Sequence, residues 1–286
     1  MEIDGKVAVI TGGGSGIGRG VGTLFAERGM KVVLADMNAE VLDATVADLQ
    51  GKGHEVMGVP TDVADFDAVK HLADVAFETH GNVHVLMNNA GTGGGGTFDD
   101  ADMTQWRRAI GVNIEGTLHG ILAFMPRMLA NDEEGYITGT TSGSGAQGTM
   151  YSGAPYAATK NAVLSLMESL YGYLRDRGSK LHAACLFPPL TRSGMGSPIV
   201  VDMLKAGGVP AALAEPEELA QVVVEGIANN AFWLNPTPDQ DERFFGGRLK
   251  EIHEWQGEMI MKKANAMIDQ TPPDPYLWSP GPYPGS

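Results

Sequence analysis

A short apolar run, Val7 to Ile10, passes through Thr11-Gly-Gly-Gly-Ser-Gly-Ile-Gly18 into a segment with helical periodicity from Ile17 to Arg28. Strand, glycine turn and helix in that order leave few folds open to the chain. Gly12 permits the tight turn, Gly16 lets backbone come close to a diphosphate, and Gly18 allows the helix to pack closely. Ser15 and Ile17 complete the loop and its first helical turn, where free amides and the helix dipole favour an anion. The spacing is Gly-x-x-x-Gly-x-Gly.

A second apolar run, Val32-Val-Leu-Ala, ends at Asp36, eighteen positions beyond Gly18. A carboxylate there can accept from both ribose hydroxyls of an adenosine and would repel a 2′-phosphate. The neighbours that would meet such a phosphate, Ser15 and Met37, are uncharged, which points to NAD over NADP. Arg19 reads as a solvated helix residue.

Farther along, Tyr156 and Lys160 stand four positions apart in Ala154-Pro-Tyr-Ala-Ala-Thr-Lys160, with Ser142 upstream. On a helix, positions i and i+4 share a face, so the lysine ammonium can favour ionisation of the phenol. Bringing a phenol from about 10 to about 7 takes roughly 4 kcal/mol. One charge at roughly 4 Å in an effective dielectric of about 20 supplies about that much. Tyr156 is thereby a candidate general base at neutral pH.

Together these segments resemble the short-chain dehydrogenase/reductase family, from about Gly5 to Ser193. Asn88-Asn89-Ala90-Gly91 is similar to the family segment shaping the adenine and ribose side of the cofactor pocket, and Asp62-Val63 to the pair beside the adenine. Asn113, in Gly111-Val-Asn-Ile-Glu-Gly116, matches the asparagine that holds a helix bend and a proton-relay water. Ser142, Tyr156 and Lys160 match the remaining catalytic positions. Ser144 is a rival to Ser142, because Ser142 precedes the tyrosine by fourteen residues where thirteen is common. Pro188-Pro189 stands where the family has Pro-Gly, Thr191 and Ser193 follow it, and Ser193 matches a threonine at the nicotinamide end. The resemblance implies a doubly wound parallel α/β sheet, NAD as cofactor, and interconversion of a secondary alcohol and a ketone. It also implies a homodimer or homotetramer formed through helices at about 104–130 and 155–177.

Composition agrees. The 286 residues, 43% of them hydrophobic, suffice for one core. Strand-like runs at 6–11, 31–36, 54–59, 83–88, 135–140, 181–187 and 231–235 alternate with helical stretches, as in a parallel sheet covered on both faces. The net charge of −15 argues against nucleic acid or an anionic membrane as a partner. The start lacks a basic leader and an apolar core, and no stretch is apolar enough to span a bilayer, which points to a cytoplasmic enzyme. Cys185 reads as a core residue, and the scattered histidines support no metal site. Ser142 is not framed by Gly-x-Ser-x-Gly, so a hydrolase is disfavoured. The tight tyrosine-to-lysine spacing also disfavours an enoyl reductase or dehydratase. A nucleotide-binding regulator or scaffold of the same fold is the other class; it would bind NADH without turnover.

The domain is expected to span 1–270, with a substrate loop at about 188–214 rich in Gly, Pro and Met. An amphipathic helix is expected at about 241–268. Residues 271–286 form a tail with six prolines that also carries Tyr276, Leu277, Trp278 and Tyr283, and is expected to be either docked or disordered, its aromatic residues favouring docking. This C-terminal pattern resembles a bacterial subset of the family that oxidises bulky, often aromatic, secondary alcohols, including benzylic carbons of lignin-derived aryl ethers.

Overall fold

The computed structural model describes residues 1–93, 102–142, 153–194, 201–202 and 213–234. The expected amphipathic helix at 241–268 and the tail at 271–286 lie outside the described residues, as do Ser144 and most of the substrate loop.

Seven strands form one parallel sheet: β1 (Val7–Thr11), β2 (Lys31–Asp36), β3 (Val56–Pro60), β4 (Val85–Asn88), β5 (Gly135–Thr140), β6 (Leu181–Leu186) and β7 (Trp233–Leu234). Their spatial order is β3-β2-β1-β4-β5-β6-β7. The chain winds outward from β1 to β3, then returns to the middle and winds the other way from β4. The order therefore reverses between β1 and β4, and a crevice opens beyond their carboxyl ends. Strands covered on both faces must be apolar throughout, which is why β1 is buried along its whole length.

The helices are α1 (Gly16–Glu27), α2 (Ala39–Gly51), α3 (Phe66–His80), α4 (Met103–Ala109), α5 (Gly116–Asn131), α6 (Ala154–Asp176) and α7 (Pro216–Ala228). Side-chain caps set several starts: Asn38 accepts from the Val41 amide and Asp65 from the Asp67 and Ala68 amides. On one face of the sheet Phe77, Phe124, Met167 and Phe187 build the core; on the other Phe25, Leu34, Leu49 and Val223 do so. Among the described residues no helix is long and apolar enough to cross a membrane.

Two details differ from expectation. The helix expected over 104–130 is three pieces, because a π-turn at Ile110–Glu115 separates α4 from α5. A π-turn adds a residue to the helical ladder and is kept only where other contacts hold it. The last strand is two residues rather than five, pairing only Cys185 with Trp233 and Leu186 with Leu234.

Candidate active site

The glycine turn behaves as its spacing requires. Gly12 and Gly16 have φ of 66° and 51°, in the left-handed region that favours glycine. A Cβ on Gly18 would lie 2.2 Å from the Gly12 carbonyl oxygen, so α1 folds back onto its own turn. Ser15 is exposed and Ile17 half-buried at the mouth of this loop. The Thr11 hydroxyl accepts from the amides of both Asn89 and Ala90, each at 3.0 Å, and the Asn89 side chain donates to the Thr11 carbonyl at 3.0 Å. These bonds bind the ends of β1 and β4 together at the mouth of the crevice.

Asp36 ends β2 beside this turn. Its carboxylate accepts from the Gly14 amide at 3.1 Å and the Asn38 amide at 3.0 Å, which holds the carboxylate against the loop. Met37 is 68% exposed, leaving an apolar surface next to that carboxylate. Arg19 is paired with Asp48 at 3.3 Å on the surface, as its solvated reading required. Asp62 is exposed and accepts from the Ala64 amide, while Val63 packs into the space left by Gly116 on α5. The Val63 carbonyl accepts from His119 Nδ1 at 2.9 Å, which sets the protonated nitrogen of that ring.

On the other side of the crevice, Gly153 (φ 78°) and Pro155 start α6, so that Tyr156 lies in its first turn and Lys160 one turn on. Ser142 follows β5 and makes a side-chain hydrogen bond with Tyr156, bringing together residues fourteen apart in sequence. Burial pushes the Tyr156 phenol up, and the Ser142 bond opposes this. The Lys160 ammonium lies 5.9 Å from the centroid of the Tyr156 ring. Lys160 is itself 3% exposed, and desolvation lowers it from 10.5 to about 8. Its Nζ donates to the Thr140 carbonyl at 2.8 Å, while the Thr141 hydroxyl donates to the Lys160 carbonyl at 2.7 Å.

Asn113 sits in the π-turn at 1% exposure. Its Oδ1 accepts from the Thr92 amide at 2.8 Å, and its Nδ2 donates to the Thr92 carbonyl at 3.0 Å and the Thr159 hydroxyl at 2.9 Å. The amide is thus committed to holding the loop after β4 against α6. A Cβ added to Gly91 in that loop would lie 3.1 Å from Lys160 Nζ, so only glycine lets the loop come this close.

Pro188 is buried after β6, and the Thr191 hydroxyl donates to the Pro189 carbonyl at 2.8 Å. Thr191 bridges to Ala214, and Arg192 pairs with Glu215 at 3.0 Å. These contacts bring together the two ends of the segment expected to be the substrate loop. Ser193 packs on Gly16, where an added Cβ would lie 2.9 Å from the serine Cβ. Cys185 is fully buried and unpaired in a disulfide, in keeping with a core role.

A glycine-turned crevice with a carboxylate at one end and a serine-tyrosine-lysine cluster at the other defines a doubly wound protein of the nucleotide-binding kind. Residues 6–204 match the short chain dehydrogenase family model, and the chain belongs to that family. A C alpha-dehydrogenase from Sphingobium sp. (strain NBRC 103272 / SYK-6) is 30% identical, covering 83% of this chain and 82% of the relative. The meso-2,3-butanediol dehydrogenase of Serratia marcescens is 34% identical, covering 82% of this chain and 92% of the relative. A short chain dehydrogenase/reductase from Burkholderia phymatum, solved in complex with NAD, superposes with a TM-score of 0.79. It is 34% identical over 92% of this chain and 96% of that one.

The residues in the crevice fit a dinucleotide. The two positive-φ glycines and the missing side chain at Gly91 keep it open to backbone contact, and Asp36 retains lone pairs for hydroxyl groups.

Proposed function

We propose that this protein is an NAD-dependent oxidoreductase that interconverts a secondary alcohol and a ketone, with Tyr156 as general base. The observation that carries the reading is the Ser142–Tyr156 hydrogen bond beside a buried lysine, at the carboxyl end of the sheet and next to the glycine turn.

In this reading Gly12, Gly16 and Gly18 underlie the diphosphate, with Ser15 and Ile17 at its edge. Asp36 takes the adenosine ribose, flanked by Met37, while Asp62, Val63, Asn89, Ala90 and Gly91 line the adenine and ribose side. Pro188, Thr191 and Ser193 serve the nicotinamide end. NAD, when bound, accepts a hydride in oxidation and in its reduced form donates one. Tyr156 takes the alcohol proton as phenolate, or returns it in the reverse direction. Ser142, with its single hydroxyl proton, orients and stabilises the reacting oxygen. The Lys160 ammonium, 5.9 Å from the Tyr156 ring centroid, favours the phenolate. Phenol and ammonium therefore titrate as a coupled pair, each favouring the charge of the other. Asn113 serves the relay to solvent by holding the loop and α6 in register.

A bulky apolar or aromatic substrate is supported by the apolar Met195, Ile199, Met203 and Leu204 in the sequence of the proposed substrate loop. Exposed Leu118 and Leu122 on α5 and Tyr171 and Tyr173 on α6 support a homodimer or homotetramer through these helices.

The test is a panel of aryl, alicyclic and short aliphatic secondary alcohols, assayed with NAD by NADH absorbance. Turnover of aryl alcohols above short aliphatic ones supports the reading. Tight NADH binding with no turnover across the panel overturns it.

A further inference from the structure

We infer that Thr159 is a positioning residue: its buried hydroxyl fixes the orientation of the Asn113 amide and ties it to the helix turn that carries Tyr156. This rests on Tyr156 being the base proposed above.

Thr159 precedes Lys160 on α6 and is 1% exposed, as is Asn113. Its hydroxyl oxygen lies 2.9 Å from the Pro155 carbonyl and 3.0 Å from the Tyr156 carbonyl. A carbonyl only accepts, so the single hydroxyl proton must go to one of these two. The lone pairs of the oxygen are then left to face Asn113, where only an N–H can satisfy them. Asn113 Nδ2 is the group found there, at 2.9 Å.

With Nδ2 directed to Thr159, its second N–H meets the Thr92 carbonyl and Oδ1 meets the Thr92 amide. Turning the amide over would oppose N–H to N–H and oxygen to oxygen at Thr92. Every partner is thus used once in a single arrangement, and Thr159 is the member that belongs to α6. Through it the first turn of α6, the π-turn and the loop carrying Gly91 share one hydrogen-bonded network. That loop in turn abuts Lys160 Nζ. Loss of the hydroxyl therefore leaves a buried N–H unpaired and frees the turn that sets Tyr156 against Ser142.

The experiment compares Thr159→Val, which keeps the shape without the hydroxyl, with Thr159→Ser, which keeps the hydroxyl without the methyl, and with Thr159→Ala. Each is assayed for kcat, KM and the pH profile of kcat/KM, using NAD and an alcohol turned over by the parent enzyme. Valine and alanine should lower kcat by about tenfold or more, as small misplacements of reacting groups do, with KM for the alcohol changed less than about threefold. The acid limb of the profile should move to higher pH, because a phenolate less well met by Ser142 is harder to form. Serine should return kcat to within about threefold of the parent and restore the profile. A valine variant with the parent kcat and profile overturns the inference, as does a serine variant no better than alanine. If the valine variant fails to fold, the serine and alanine pair decides the matter by the same criteria. Failure of the underlying reading shows separately, as a Tyr156→Phe variant that keeps the parent kcat.

Discussion

Lys160 Nζ donates to the carbonyl oxygen of Thr140 at 2.8 Å, so the ammonium beside Tyr156 is anchored to the last residue of β5. A buried ammonium needs an acceptor, and the carbonyl at the strand end provides it without a second charge. Because the anchor is backbone, the position of the ammonium follows the sheet. A carboxylate partner would hold Lys160 protonated but would disfavour a phenolate at Tyr156; a carbonyl does not.

The burial of Lys160 has a cost that can be measured. Desolvation lowers it from 10.5 to about 8, so between these values the unfolded chain binds more protons and parent stability rises with pH. The cost is fully present below pH 8 and fades toward 10.5. The lowering from 10.5 to about 8 corresponds to about 3 kcal/mol, against roughly 1.5–3 kcal/mol for the lost charge-assisted bond to Thr140. Lys160→Met should therefore be inactive yet at least as stable as the parent at pH 7 in urea unfolding. Its advantage should shrink toward pH 10. A variant clearly less stable at pH 7 would contradict this account.

Asp36 should govern cofactor choice. Both carboxylate oxygens are held by the Gly14 and Asn38 amides, and Arg19 is engaged by Asp48. A 2′-phosphate would face a fixed negative charge, costing several kcal/mol at about tenfold per 1.4 kcal/mol. The ratio of kcat/KM for NAD to that for NADP should be large in the parent and fall by about tenfold or more in Asp36→Ala. A ratio near one in the parent would refute the assignment.

At the opposite end of the sheet, His84 should set acid stability. Its Nδ1 accepts from the Val7 amide at 3.1 Å, so the neutral ring carries its proton on Nε2, directed to Glu133 at 3.1 Å. A second proton would have to displace the Val7 N–H bond. Burial accordingly lowers the histidine, with Glu133 opposing. Since the unfolded histidine protonates first, stability contributed here is lost as pH falls below the ordinary value of 6.5. His84→Gln should cost about 1 kcal/mol at pH 7 and flatten the loss of stability between pH 6.5 and 5. An unchanged slope would show that His84 is not the group responsible.

Much of this was legible in the sequence. Buried parallel strands are continuous apolar runs, so β1, β2 and β5 fall within a residue of the runs at 6–11, 31–36 and 135–140. Glycines at Gly12, Gly16 and Gly18 announce a turn because no other residue fits there. The i, i+4 spacing of Tyr156 and Lys160 announced a shared helix face. The π-turn was not legible in periodicity, and only the resemblance, which put a helix bend at Asn113, pointed to it: the extra residue at Ile110–Glu115 is held by the Thr92 and Thr159 contacts of Asn113. Nor were Thr11, Thr140, Thr141 and Thr159. A threonine in a strand or helix reads as ordinary propensity, and the work of these four is done by hydroxyls or carbonyls meeting partners distant in sequence. The position of Thr159, directly before Lys160, was the one available signal. Burial of the phenol, which raises it, was not legible from the i, i+4 spacing.

The most direct measurement of the central claim is kcat and NADH affinity in Tyr156→Phe, together with the pH profile of a Lys160→Ala variant. Removing the phenol oxygen while keeping the ring should leave NADH binding near that of the parent and lower kcat by about 10² to 10⁴-fold, the range for losing an acid–base group. Residual turnover in Lys160→Ala should require higher pH, since the phenolate loses the cation that favours it. A Tyr156→Phe enzyme with the parent kcat, or an active Lys160→Ala enzyme with no alkaline shift, would contradict the assignment of Tyr156 as the base.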